Sequence, residues 1–168
     1  MSNKGISAIM VSLILLAVSL GMAVAYASTM MGWFGGAINI VKIDTSDSKI
    51  ILNPSTNHIR IQIVIRNMGT TTIKIKSVSI DTENQKVNVT FSGNNNVEIN
   101  GIGLFGSVYG SSKDVIISSG CLLIPQGCIA TIYAEEDVSA SPWKLGNTYR
   151  GTIFYDGGIT DFKISVIY

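Results

Sequence analysis

The chain has 168 residues, and its 12 lysines and arginines nearly balance its 11 aspartates and glutamates, for a formal net charge of +1. This length allows one globular domain in addition to a long apolar segment. So balanced a charge provides neither a basic surface for nucleic acid nor a polybasic patch for acidic lipid, and we predict no nucleic-acid partner.

The apolar segment, residues 6–34, contains no charged residue, and the uncharged run extends from Gly5 to Val41. As a helix, the segment would be about 40 Å long. A bilayer core needs only about 20 apolar residues, so we predict a membrane-spanning helix with a turn or two to spare. Lys4 and the N-terminal amine form its cationic flank, which predicts that the chain starts in the cytoplasm and that the rest is exported.

Small residues are interspersed with large aliphatic residues throughout this segment. A helix that is apolar all round must be buried all round, and small residues let helix backbones approach closely. Because the chain offers no second such helix, we predict that it packs against copies of itself. The alternative is a plain single-pass anchor. The residues expected in the core of the packed helices are Ile9, Leu13, Leu16, Leu20, Gly21 and Val24.

Glycines at 32, 35 and 36 end the predicted helix, and from Ala37 onward the pattern has the two-residue period of strands. Residues 58–67 alternate strictly between isoleucine and mostly polar residues, as in a half-buried strand. Residues 67–70 form a predicted turn. Residues 72–80 are the predicted hairpin partner, with a bulge near Ser77 where the apolar phase slips by one residue.

Seven further strands are predicted, and no helical period appears after Gly36. Many short strands with frequent turns indicate an antiparallel Ig-like β-sandwich. We therefore predict an α+β protein in which a long N-terminal hydrophobic α-helix precedes this sandwich. The further strands are residues 38–43, 49–52, 86–92, 114–118, 129–135, 149–155 and 159–168, the last two forming a hairpin over residues 156–158.

Two long connections, residues 93–101 and 101–112, are predicted as loops because they are rich in polar turn residues and glycine. The second also contains Leu104, Phe105, Val108 and Tyr109. These apolar residues indicate either a surface that a neighbouring subunit covers or a loop that folds back on its own sheet.

Cys121 and Cys128 are the two cysteines of the chain, and they bracket a run with Pro125 and Gly127 that can reverse its direction. In an oxidising exterior we expect a local disulfide, which would stabilise the fold by about 2 kcal/mol because the loop is short. The alternative is two buried free thiols. A metal site is not predicted, since His58 is the one histidine.

Asn88 begins the sequence Asn-Val-Thr, which is an N-glycosylation sequon and so a candidate glycan acceptor on an exported protein. It alternates with Val87 and Val89, which places it on the outer face of its predicted strand. Catalysis is not predicted, because no base lies in a pattern with a nucleophile or an acid. We accordingly predict no enzyme activity and no cofactor.

The N-terminus resembles the class III signal peptide of archaeal type IV pilins and archaellins, in which a short polar leader directly precedes an apolar helix. In that family a dedicated membrane peptidase cuts before the helix. The resemblance places the cut between Gly5 and Ile6, and divides the chain into a leader (1–5), a hydrophobic helix (6–36) and a head domain (37–168). Bacterial pilins carry a glutamate at the fifth mature position, where this chain has Met10, so the archaeal branch is favoured.

The β region is similar to archaeal pilin head domains in three stretches. These are the strand ending in Asn-x-Gly-Thr (67–70), the turn Ile-Pro-Gln-Gly (124–127) and the run Gly-x-x-Tyr-x-Gly (146–151), which leads into the terminal hairpin. The resemblance covers most of residues 58–168.

The resemblance implies a structural subunit of an archaeal type IV pilus-like filament at the cell surface, inserted in the cytoplasmic membrane before assembly. The implied partners are further copies of the chain, the prepilin peptidase, and a membrane platform with an assembly ATPase. The serine-containing start of the helix favours an adhesive pilus over an archaellin of the swimming filament. The alternative from another class is a membrane-anchored binding module of the archaellum-stator or surface-layer-binding type.

Overall fold

A computed structural model describes residues 4–36, 40–137 and 142–168 of the chain. The chain divides into two compact units at residues 39 and 40, and each is described by itself. The first contains helix α1 (Lys4–Gly36), whose 33 residues make it about 50 Å long. The predicted apolar helix is confirmed, and it begins two residues before Ile6.

The described part of the second unit contains twelve β-strands and no helix. Eight of the nine predicted strands agree with the structure to within two residues at each end. The strands are β1 (Ile43–Asp44), β2 (Lys49–Asn53), β3 (His58–Asn67), β4 (Ile73–Asp81), β5 (Lys86–Ser92), β6 (Asn96–Asn100), β7 (Leu104–Gly110), β8 (Ile116–Ser118), β9 (Cys121–Ile124), β10 (Ile129–Asp137), β11 (Thr148–Tyr155) and β12 (Gly158–Ile167).

Nine of these strands form a closed barrel in the order β11-β12-β2-β3-β10-β7-β6-β5-β4, and β4 pairs with β11 to close the ring. Neighbours are antiparallel except for β12 and β2, which run parallel. Strands β9 and β8 extend from the first half of β4, and β1 pairs with the end of β3. The predicted Ig-like sandwich is therefore wrong in its architecture, although the mostly β domain after one helix is confirmed.

The barrel interior is filled mainly by branched aliphatic side chains, as expected for a barrel of this size. On β3, Ile59, Ile61, Ile63 and Ile65 all point inward and are at most 1% exposed, so the predicted alternation is confirmed. Branched side chains suit extended backbone because they lose little χ1 freedom there. This isoleucine-rich interior is the hydrophobic core of the second unit.

Two of the predictions for the strand pairing are confirmed, and one is wrong. The bulge near Ser77 is present, since the β4–β11 register moves from Ser77 to Ile75 and skips Lys76. Strands β11 and β12 form the predicted terminal hairpin. Strands β3 and β4 are not a hairpin, because β2 and β10 flank β3 while β5, β9 and β11 pair with β4. The turn after β3 thus carries the chain across the barrel.

The two predicted loops contain strands β6 and β7, so the loop prediction is wrong there. In β7, Leu104 and Val108 point into the core while Phe105 and Tyr109 are exposed. Gly106 allows β7 to lie close to β10, because a Cβ at this position would lie 2.4 Å from the carbonyl oxygen of Tyr133. The segment therefore folds against its own sheet.

The remaining differences concern the ends of strands. The strand predicted at residues 38–43 lies partly outside the described residues, and the observed β1 covers Ile43–Asp44. Strand β9 was not predicted. It forms a hairpin with β8 through Ser119 and Gly120, which both have positive φ.

Candidate functional site

The surface of α1 is apolar on every side. The predicted core residues Ile9, Leu13, Leu16, Leu20 and Val24 are between 58% and 65% exposed. The span Ile9–Met30 has a mean hydropathy of 2.4, and its length and composition suit a membrane anchor or a signal sequence. Exposing so much apolar surface to water is unfavourable, so this helix requires a surrounding of lipid or of other apolar helices.

The hydroxyl groups of serine and threonine within this span are satisfied by the helix itself. Ser12 donates to the carbonyl oxygen of Ile9 at 2.8 Å, and Ser19 donates to that of Leu15 at 2.7 Å. Ser28 and Thr29 donate to Ala25 in the same way. An unsatisfied polar group is costly where no water is present. Because these hydroxyls already have partners within the helix, its burial in lipid or among other helices leaves none of them unsatisfied.

One line along α1 carries only small residues. Ala17, Gly21 and Ala25 follow one another at intervals of four, which places them on one face of the helix. A Cβ added at Gly21 would meet no atom within 4 Å. This face would let a second helix approach closely.

The predicted cleavage site lies at the start of α1. Lys4, Gly5 and Ile6 all belong to the helix, whereas residues 1–3 lie outside the described residues. Cleavage between Gly5 and Ile6 stays a prediction.

The first described residues of the second unit are joined by hydrogen bonds to the turn after β3. We call this group of residues the base cluster (Ile40, Lys42, Asn67, Gly69 and Thr70). Met68 N–H donates to the carbonyl oxygen of Lys42 at 2.8 Å, and Thr70 N–H donates to that of Ile40 at 2.9 Å. The Ile40 N–H donates to Thr70 Oγ1 at 3.1 Å. These bonds continue the ladder between β1 and β3, and so fix the first described residues of this unit to the barrel.

Asn67 joins two of the motifs that the sequence analysis singled out. Its side chain is fully buried, and Nδ2 donates to the carbonyl oxygens of Thr71 and Ile124 at 2.7 and 2.9 Å. Its Oδ1 accepts a hydrogen bond from Gly69 N–H at 2.9 Å. Gly127 N–H donates to the backbone carbonyl of Asn67 at 3.0 Å. The Asn-x-Gly-Thr and Ile-Pro-Gln-Gly turns are therefore one structural unit.

Replacing Gly69 by alanine is expected to detach the base cluster, because the new Cβ would lie 2.1 Å from the carbonyl oxygen of Ile40. We expect a loss of about 2 kcal/mol in stability and faster hydrogen exchange at the amides of Met68 and Thr70. Gly93→Ala is the matched control, since a Cβ there meets no atom within 4 Å. Unchanged exchange at both amides in Gly69→Ala would contradict this account.

The third motif, residues 146–151, is held by aromatic rings. Tyr149 is buried, its hydroxyl accepts a hydrogen bond from Lys144 N–H at 3.0 Å, and its ring packs edge-on against Trp143 at 5.3 Å. Gly151 lies directly under the ring of Phe162, where a Cβ would lie 2.2 Å from the ring. Tyr149 and Gly151 of this stretch therefore have a role in packing.

The predicted disulfide is not formed in this structure, where Cys121 and Cys128 are free cysteines. Cys121 begins β9, and Cys128 follows the turn after the other end of that strand. The extended strand carries the chain about 10 Å from Cys121 to Ile124, before the turn that leads to Cys128. The segment after Cys121 is therefore extended as β9, and not the local loop expected between the two cysteines.

Asn88 lies on the outer face of β5, where it is exposed between the buried Val87 and Val89, as predicted. Thr90, the third sequon residue, is also exposed, and its Oγ1 accepts a hydrogen bond from Asn100 at 3.1 Å. The sequon is thus accessible, and its glycosylation stays a prediction.

His58 belongs to a cluster of charged side chains on the outer face of β3 and β10. Arg60 donates two hydrogen bonds to Glu135, both of 3.0 Å, and His58 Nε2 lies 3.1 Å from the same carboxylate. The hydrogen bonds from Arg60 lower the pKa of Glu135 below its ordinary value of 4.5. The sequence placed His58 beside Arg60, but the pairing with Glu135 depends on the β3–β10 register and was missed.

The stability of the barrel is expected to fall in acid, because three exposed carboxylates have lowered pKa values. Besides Glu135, hydrogen bonds from Lys76 lower the pKa of Asp156, and those from Arg150 lower that of Asp161. Unfolding returns each pKa to its ordinary value, so protonation favours the unfolded chain. This contribution to stability is fully present above pH 4.5. It is lost as the pH falls through the folded pKa values, which lie below 4.5 for Glu135 and below 3.8 for Asp156 and Asp161.

Thermal unfolding between pH 7 and pH 2 measures this effect. The unfolding midpoint should stay level down to about pH 5 and then fall. The Arg60→Gln variant should lose less stability in acid than the native chain, because Glu135 no longer carries a lowered pKa. A midpoint that is the same at both ends of the range would contradict the prediction.

Within the described residues, no group of three or more histidine, cysteine, aspartate or glutamate side chains could hold a metal ion. The cluster of His58, Arg60 and Glu135 is an ion-pair network whose groups satisfy one another. The two units present separate features: the first has the apolar surface of α1, and the second has a barrel with its base cluster.

Comparison with models of known protein families finds no family that matches this chain. A search of curated proteins finds no match either.

Proposed function

We propose that this chain is a pilin-like structural subunit of an archaeal type IV surface filament, which polymerises through α1. The observation that carries the proposal is the surface of this helix. It is apolar all round, exposed along its whole described surface, and satisfied in its serine and threonine hydroxyls. Such a helix leaves lipid only where other apolar helices replace the lipid.

In this proposal the helix is first inserted in the cytoplasmic membrane, and a prepilin peptidase cuts between Gly5 and Ile6. A membrane platform and its ATPase then add the subunit to a growing bundle of helices, with the barrels outside. The resemblance of the N-terminus to class III signal peptides supports this order of events. The exposed outer faces of the barrel would carry adhesion to a surface.

A second function is a membrane-anchored binding module, and one observation favours it. The span Ile9–Met30 has 22 residues, which is the length that a single bilayer crossing requires. In this alternative the helix stays uncleaved in the membrane and the barrel binds a surface-layer or accessory protein.

Intact mass and N-terminal sequencing of the protein from cell membranes and from sheared surface material separate the two functions. We expect a chain that starts at Ile6 in the sheared fraction. A chain that retains Met1 or Ser2 and occurs only in the membrane fraction would reject the filament and favour the anchored module.

A further inference from the structure

One outer face of the barrel carries a pocket that no part of the proposed assembly uses. The segment before β2 borders an open pocket of about 590 Å³ on the outer face of β3 and β10. Ser48 fixes this segment, since its hydroxyl accepts a hydrogen bond from Val64 N–H at 3.0 Å and donates to the Val64 carbonyl at 3.2 Å. The polar and cationic side chains of Lys49, Gln62, Arg66 and Thr131 line this pocket, and we call it the basic pocket.

Arg66 is incompletely satisfied in the basic pocket. Its Nη2 lies 3.4 Å from Asp47 Oδ2, a long contact for a charged pair, and the Asp47 side chain is 64% exposed. Its Nε is buried and has no hydrogen-bond partner among the described residues. A guanidinium offers its donors in a fork that matches a planar acid group. The Arg66 side chain is 40% exposed, so its terminal nitrogens are open to such a group, which would replace the long contact with Asp47.

Aromatic rings continue the surface beside the basic pocket. Thr131 pairs with Tyr109 across β10 and β7, and the Tyr109 side chain is 61% exposed. The ring of Tyr133 supports Tyr109 in an edge-on contact of 6.3 Å. From the strand spacing, the Cα atoms of Arg66 and Tyr109 are about 12 Å apart. One extended ligand can reach both the cationic group and the ring.

We propose that this face binds an acidic polysaccharide, with an acid group at Arg66 and Lys49 and a sugar ring against Tyr109. A sugar offers an apolar ring face for an aromatic side chain and hydroxyls for Gln62 and Thr131.

The experiment measures binding of oligogalacturonate to the full chain in detergent, with neutral dextran as the comparison ligand. We expect oligogalacturonate to bind and dextran not to bind. Arg66→Gln and Tyr109→Ala should each weaken binding about tenfold. The matched controls are Arg150→Gln, an exposed arginine on β11, and Tyr168→Ala, an exposed tyrosine beyond β12. Both controls should bind as the native chain does.

Three results would overturn the proposal: no binding of oligogalacturonate by the native chain, equal weakening by a variant and its control, or tighter binding of an oligothymidylate. The inference rests on the proposed function for the exposure of the barrel at the cell surface. Binding is measured without assembly, so its failure leaves the filament untouched. Failure to find the processed chain in sheared material leaves the binding result untouched in turn.

Discussion

Replacing Asn67 by alanine is expected to lower the free energy of unfolding of the barrel by about 4 kcal/mol. The substitution removes three side-chain hydrogen bonds from a fully buried position. It leaves the Gly69 N–H and the carbonyl oxygens of Thr71 and Ile124 without these partners, and a buried polar group without a partner is costly. Urea unfolding in detergent, followed by Trp143 fluorescence in a Trp33→Phe background, measures the loss.

Asn96→Ala is the matched control, because Asn96 is exposed on β6 and should change stability by no more than about 0.5 kcal/mol. Asn67→Asp adds a pH signature. Its carboxylate would face two carbonyl oxygens, so the folded pKa would be raised and the variant would regain stability as the pH falls. If Asn67→Ala were as stable as Asn96→Ala, the two turns would not depend on this side chain.

Replacing Gly21 by leucine is expected to abolish filaments while the protein still inserts in the membrane. A leucine would push apart two helices that approach at the small face formed with Ala17 and Ala25. The same leucine makes the helix more apolar, so insertion in lipid is at least as favourable as before. Electron microscopy of sheared material and fractionation of membranes measure the two effects separately.

Met22→Leu is the control for this substitution, since it conserves volume on a residue next to Gly21, and filaments should form as usual. The two proposed functions give opposite results for Gly21→Leu. A bundle loses its close contact, whereas a lipid anchor is unaffected. Normal filaments in Gly21→Leu would exclude this face from the helix contact.

Local patterns predicted the local structure well. The strict alternation of residues 58–67 indicated β3 with its inward face, and the phase slip after Ile75 indicated the bulge beside Ser77. Both features depend on the order of neighbouring side chains. The terminal hairpin was predictable for the same reason, because its turn contains two successive glycines.

The architecture was not predictable, because it depends on pairs of strands that are far apart in the sequence. Nothing in residues 73–81 indicates that they pair with residues 148–155 and close a ring. Alternation shows that a strand has one buried face, and a sandwich and a barrel meet that condition equally. The glycines of β7 indicated a loop where the structure has a strand. Gly106 allows the close approach of β10 and does not form a turn.

The candidate sites were predictable in part. The composition of α1 identified its exposed apolar surface, because this property depends on no other part of the chain. The role of Asn67 was missed, since the Asn-x-Gly-Thr pattern indicates a turn but not its burial against Ile124. The basic pocket was missed too, because Lys49, Arg66 and Thr131 come together only through the pairing of β2, β3 and β10.

Closure of the nine-strand ring also limits strand pairing between neighbouring barrels. A sheet with two free edges can recruit strands from its neighbours, and many such domains side by side would risk uncontrolled aggregation. Around the nine-strand ring every strand already has a partner on both sides. Outside the ring, the free edges among the described strands are those of the short strands β8 and β1. Barrels held at high local concentration therefore recognise one another mainly through side chains, which keeps their contacts reversible and sensitive to single substitutions.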